Sequence, residues 1–270
     1  LNIAWVILTA ILVNASFNYP QLEQLTPSQV LNQQSADLIS QNPDQATSLS
    51  FLSYDSKLLA GTWRFLTYFG RDSMISALLL QPILSQGEGS AIEAVISAVL
   101  ERINRADGTV CHEEVLGDYA TFLNLKDGLT STEPRCDYKM VDTDYLLPII
   151  MKNYFVDSEA GRQRVGAFFN TTASFLVENS GLTYAQLAET TALKIMNATA
   201  AFAAEGGQIK ENLIRLRENE PVGEWRDSNA GLGGGRIPYD VNAAIVPAGL
   251  RAIAALSRVG FFTAHPDWNE

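Results

Sequence analysis

Histidine and cysteine are nearly missing from this 270-residue sequence, with two of each. The histidines, His112 and His265, lie far apart, and neither an HExxH nor a CxxC pattern occurs. A zinc centre is therefore not expected. Basic residues are also scarce: 19 Lys and Arg stand against 30 Asp and Glu, a formal charge of −11. Nucleic-acid binding needs a basic face, so that class is excluded, and docking on an anionic membrane is disfavoured for the same reason. Long apolar runs are missing too. The longest, residues 3–13, is about half of the ~20 residues a membrane span needs. No basic residue precedes it, so it does not read as a signal-peptide core. The glycine run 231–235 is not followed by Lys and Ser or Thr, and no Gly-x-Ser-x-Gly occurs. Phosphate-loop and serine-hydrolase chemistry drop out with them.

What is present is ordinary globular composition, 47% hydrophobic and 18% charged. The sequence opens on Leu1 rather than Met, which suggests a processed or partial product. Residues 14–50 are rich in Gln, Ser, Asn and Pro and are expected to form an exposed connecting arm (residues 1–50 in all) from an upstream region, with some helix over 28–40. Residues 51–270 then read as the main domain. Apolar residues at helical spacing predict helices over 72–84 and 90–103, followed by an Asp107-Gly108 turn and a loop-rich stretch over 109–140. Further helices are expected over 142–154 with Asp142 as N-cap, 159–179, 183–204, 208–219 and 240–259. Pro148 and Pro247 fall inside two of these, which should be kinked or start late. Strand signals are sparse. The pattern indicates an all-α fold of helical hairpins.

The acidic composition and few lysines agree with a secreted, extracellular protein. In an oxidising compartment Cys111 and Cys136 could pair; in the cytosol they would be free thiols. Sequons at Asn14, Asn170 and Asn197 are candidate glycosylation sites.

With the other chemistries removed, carboxylates, arginines and aromatics at loop-to-helix junctions remain, the set from which sugar sites are built. Four clusters stand out. Tyr68-Phe69-Gly70-Arg71-Asp72-Ser73 places an Arg-Asp pair at a helix start beside an aromatic shelf, although Asp72 could equally be an N-cap and the aromatics core. Cys111-His112-Glu113-Glu114 offers adjacent carboxylates, or merely a solvated acidic loop. Asp137, Asp142 and Asp144 crowd eight residues before a helix whose dipole alone accounts for Asp142. Gly223-Glu224-Trp225-Arg226-Asp227-Ser228, followed by the glycine run and by Tyr239-Asp240-Val241-Asn242, is the strongest. A Trp beside two carboxylates supplies a stacking face and an apolar wall that keeps a general acid protonated, although the segment could equally be a surface loop with one buried Trp.

Together these clusters resemble the six-hairpin, (α/α)6-toroid glycosidases, nearest to glycogen-debranching-type glucosidases and glucoamylases. Phe69-Gly70-Arg71-Asp72-Ser73 is similar to their Arg-Asp motif, which implies that Arg71 and Asp72 hold the terminal sugar in the innermost subsite. Trp225-Arg226-Asp227 resembles the Trp-x-Asp element, which implies Asp227 as general acid. Residues 237–243 resemble the following helix start but carry Tyr239 where Arg is usual and Val241 where Gly is usual. The resemblance spans roughly residues 51–260. It implies an inverting, exo-acting glycoside hydrolase on α-linked gluco-oligosaccharides or a related glycan, with no cofactor. Trp225 and Tyr68 are the expected stacking residues, and Glu113, Glu114, Asp142, Asp144, Arg226, Asp240 and Asn242 the expected lining of the subsite.

About eight of the toroid's twelve helices can be drawn from this sequence, and no late Glu serves as the family's general base. The base and remaining helices are thus expected on a missing segment or a second chain of the same protein. Two alternatives remain: a non-catalytic carbohydrate-binding toroid, which needs no base, and a polysaccharide lyase on the same fold, which would want a Tyr, His or Arg base and for which His112 is the only plausible histidine.

Overall fold

The computed structural model describes residues 23–59, 67–115, 117–226 and 231–269. Helix dominates them. In chain order the elements are α1 (Pro27–Val30), α2 (Leu38–Gln41), α3 (Pro43–Leu52), β1 (Ser53–Tyr54), β2 (Lys57–Leu58), β3 (Tyr68–Phe69), α4 (Gly70–Leu80) and α5 (Ala91–Glu101). There follow β4 (Glu113–Val115), α6 (Gly117–Lys126), β5 (Arg135–Asp137), α7 (Thr143–Lys152), α8 (Glu159–Phe169), α9 (Tyr184–Ala203) and α10 (Val246–Arg258).

The expected helices over 72–84, 90–103 and 183–204 are present as α4, α5 and α9. Their ends have local causes. The Ser90 hydroxyl accepts from the Glu93 amide at the start of α5, and Thr183 with Gln186 forms a capping box at the start of α9. Helix α5 is the centre of the core. Ile92, Val95, Ile96, Val99 and Leu100 are all buried, and α4, α7 and α9 pack around it. Its one buried acid, Glu93, is neutralised by Arg164 of α8, Nε to Oε1 3.0 Å, and accepts a bond from the Tyr154 hydroxyl. Helix α7 runs through Pro148 and passes into a π-helical segment, Asn153–Asp157. Pro247 lies in the first turn of α10, where a missing N–H costs nothing, and a π-helical segment over Val241–Ile245 precedes it.

Several expectations are corrected. Residues 23–50 are not simply an exposed arm. Leu25 and Val30 belong to the main core, the Asn32 amide donates to Ile83, and the Ser85 amide donates to Val30. The helix expected over 159–179 stops at Phe169. Residues 170–179 are held instead by Glu101, whose carboxylate accepts from the Ser174 and Phe175 amides at 2.9 and 2.8 Å. Over 208–219 there is one 3-10 turn, Lys210–Asn212. Beyond it the chain is extended because Ile214 and Leu216 donate to Asn242 and Arg236. The stretch 109–140 is more ordered than expected. It holds α6 and two strands of an antiparallel sheet of order β3-β4-β5, in which Tyr68 faces Glu114 and Glu114 faces Cys136. A Cys111–Cys136 disulfide ties this sheet together.

Candidate active site

The sheet positions the first cluster. Strand β3 runs directly into α4, and the Gly70 amide donates to the His112 carbonyl at 2.8 Å. A Cβ at residue 70 would stand 2.2 Å from the Cys111 carbonyl oxygen, so only glycine lets α4 begin this close to the Cys111 backbone. The first turn of α4 then presents Arg71 and Asp72. Arg71 is buried, and its Nη1 lies 3.3 Å from Oδ2 of Asp142, while its Nε lies 3.5 Å from Oδ2 of the half-exposed Asp72.

Asp142 precedes α7, the position expected of an N-cap, yet its side chain makes no cap bond. The carboxylate instead accepts from Arg71 and from the Thr143 hydroxyl. Burial pushes its pKa up, Arg71 pulls it back, and the net direction is upward. Beside the pair, burial and the Arg71 charge depress the His112 imidazole to about 4, so it is neutral at physiological pH.

The fourth cluster joins the same place. The Val141 amide donates to the Gly223 carbonyl at 2.6 Å, which lays residues 223–226 beside Asp142. Glu224 is buried there, 1% exposed, and neither carboxylate oxygen has a well-formed hydrogen bond among the described residues. Burial is the main cause of its raised pKa, and Asp240 and Asp142 add to it; the Arg226 amide and guanidinium act the other way. Trp225 is half exposed, and the Arg226 guanidinium stands 4.8 Å above its ring. Gly231 packs against this turn: a Cβ there would meet the Arg226 carbonyl oxygen at 2.0 Å.

Arg71, Asp72, Asp142, Glu224, Trp225, Arg226 and Asp240 are thus brought together by contacts between segments far apart in sequence. Asp227, the expected general acid, lies outside the described residues, as does Asn14.

Other expected site residues are placed elsewhere. Tyr68 is fully buried with its ring under the Arg102 guanidinium at 4.6 Å, so no sugar can stack on it. Glu114 is fully buried against Arg102, Oε1 to Nε 3.0 Å, and serves the core. Asp144 accepts the Val110 amide at 2.7 Å and the Lys194 ammonium. Asn242 is a clamp, its side chain bonded to the Ile214 amide and carbonyl and to the Pro238 carbonyl. Glu113 is half buried and accepts from Thr67. Tyr239 is exposed. Asn170 and Asn197 are also exposed, but the Thr199 hydroxyl of the second sequon bonds back to Ile195 within α9.

Glu224 stands in the fourth cluster without being among the expected site residues, and its proximity to Trp225 is the signal that marks it. Among the described residues no group of His, Cys, Asp and Glu could hold a metal ion, and no helix is long and apolar enough to cross a membrane. Compared with known proteins, the chain matches no family model, no curated protein and no solved structure.

Proposed function

We propose that this chain carries the substrate-holding part of an (α/α)6-toroid glycoside hydrolase that removes terminal sugars from α-linked gluco-oligosaccharides or a related glycan with inversion. The observation that supports this reading most is the buried Arg71–Asp142 pair, with the half-exposed Asp72 on its outer side and the half-exposed Trp225 nearby. A guanidinium fixed by one carboxylate presents its remaining donors in a rigid fork, which suits vicinal hydroxyls. Asp72 supplies the matching acceptor and Trp225 an aromatic face.

In this mechanism Asp227 protonates the glycosidic oxygen as the bond to the anomeric carbon breaks. A carboxylate outside this chain deprotonates the water that attacks the opposite face. The sugar leaves with inverted configuration. Arg71 and Asp72 grip the non-reducing end, which favours exo action.

Proton NMR of the anomeric signals tests this reading, with α- and β-linked gluco-oligosaccharides and the whole protein, including the segment or chain that supplies the second carboxylate. Release of a terminal sugar with inversion is expected, and Asp227→Asn is expected to bind sugar without turnover. Retention would remove the inverting mechanism. Sugar binding with no turnover in either form would instead support a carbohydrate-binding protein.

A further inference from the structure

Five acidic residues are buried among the described residues: Glu93, Glu114, Asp142, Asp144 and Glu224. Four have a cation in ion-pair contact, respectively Arg164, Arg102, Arg71 and Lys194. Glu224 has none. Its carboxylate oxygens lack well-formed hydrogen bonds, while Asp142 and Asp240 add negative potential around it. The cation that acts on it, Arg226, forms no ion pair with it and stands over the Trp225 ring, while Arg71 is engaged by Asp142 and Asp72. A buried carboxylate left this way is costly to the fold, and a fold keeps such a group where a ligand completes it.

We infer that Glu224 is a ligand-binding residue of this site, the carboxylate that accepts hydrogen bonds from sugar hydroxyls at the subsite held by Arg71 and Asp72. This rests on the glycosidase reading and deepens it. Three features identify the ligand chemistry. A hydroxyl donates to a carboxylate without bringing charge, so one polyol can satisfy Glu224 and still leave the Arg71–Asp142 pair intact. The glycine carbonyl preceding Glu224 accepts from the Val141 amide, which holds this turn of the chain beside Asp142. The next residue, Trp225, is half exposed, and its ring can cover the apolar face of the same sugar.

The test is Glu224→Gln, which keeps the shape and removes the charge. Two measurements are made on the whole protein. The first is thermal stability between pH 4 and 7. The folded pKa of Glu224 is raised, so its stabilising contribution is fully present below the ordinary carboxylate range and is lost as pH rises through the folded value. Glutamine does not titrate. E224Q is therefore expected to melt higher than wild type at pH 7 and to converge with it near pH 4. A variant that melts lower at pH 7 overturns the inference, because the carboxylate would then be a compensated structural group; the glycosidase reading would stand.

The second measurement is calorimetric binding of D-glucose, D-mannose, D-galactose and maltose. For the sugar that wild type binds best, E224Q is expected to weaken affinity by about tenfold or more. Wild-type affinity should fall on acidification as Glu224 takes up its proton, and E224Q should lack that limb. Equal affinity and equal pH dependence in the two proteins overturn the inference alone. Failure of wild type to bind any of the four sugars overturns both the inference and the glycosidase reading.

Discussion

Replacing Arg71 by methionine probes the site through the stability of the whole domain. The Arg71 and Asp142 charges stand 3.3 Å apart with side chains 9% and 1% exposed. At an effective dielectric constant of about 20 their attraction is about 5 kcal/mol. Desolvation of both groups offsets much of this, so the pair as a whole adds little to stability. Removing one partner is different, because the survivor stays buried without its counter-charge, at a cost of about 3–5 kcal/mol. In Arg71→Met that survivor is Asp142, close enough to Glu224 to raise its pKa. The loss should depend on pH. Without Arg71 the folded pKa of Asp142 rises further, so the penalty is small below the ordinary aspartate value of about 3.9 and grows as pH rises above it. Urea melts followed by circular dichroism should show R71M less stable by about 3 kcal/mol at pH 7 and by under half of that at pH 4. The double variant R71M/D142L removes both members of the pair and should be more stable than R71M alone. A cost for R71M below about 1 kcal/mol at pH 7, or one independent of pH, would refute the argument.

Two further outcomes follow from the same geometry. The Cys111–Cys136 bridge closes a loop with a sequence separation of 25, which constrains the unfolded chain by about 3.5 kcal/mol. Converting both cysteines to serine should lower stability by about that amount and, because the Cys111 carbonyl seats Gly70 beneath Arg71, weaken sugar binding as well. His112 has a folded pKa of about 4, below the ordinary histidine value, so its contribution is fully present above about pH 6.5 and is lost as pH falls through that window, by up to about 3 kcal/mol. An NMR titration should show one imidazole with its midpoint near 4, absent from His112→Gln; a midpoint near 6.5 would show that the ring is solvated.

Much of the helical frame was legible because its signals are local. The apolar spacing of α5, the capping box of α9 and the acidic first turn of α4 each involve residues within one or two turns of one another. The helix expected over 159–179 ran too far because the Glu101 carboxylate that holds the amides of Ser174 and Phe175 comes from α5, more than seventy residues earlier. The helix over 208–219 failed for a similar reason, since Asn242 and Arg236 take its backbone groups from beyond. In the site, spacing drew attention to the Arg71-Asp72 pair and to the segment around Trp225, but it could not say which carboxylates face them. Strands of two or three residues are too short to show a period, so nothing local told that Tyr68 and Glu114 turn inward against Arg102.

By itself, then, the sequence determined a helical chain of acidic character and the kinds of residue from which its site is made, because helical period, capping and charge are properties of neighbours along the chain. The tertiary structure alone decided that Asp142 serves Arg71 rather than capping α7, that Asp144 serves Lys194, and that Glu224 is left without an ion-pair partner among the described residues. Whether a buried charge is neutralised depends on what the rest of the chain brings against it, and these partners come from segments about fifty to seventy residues away.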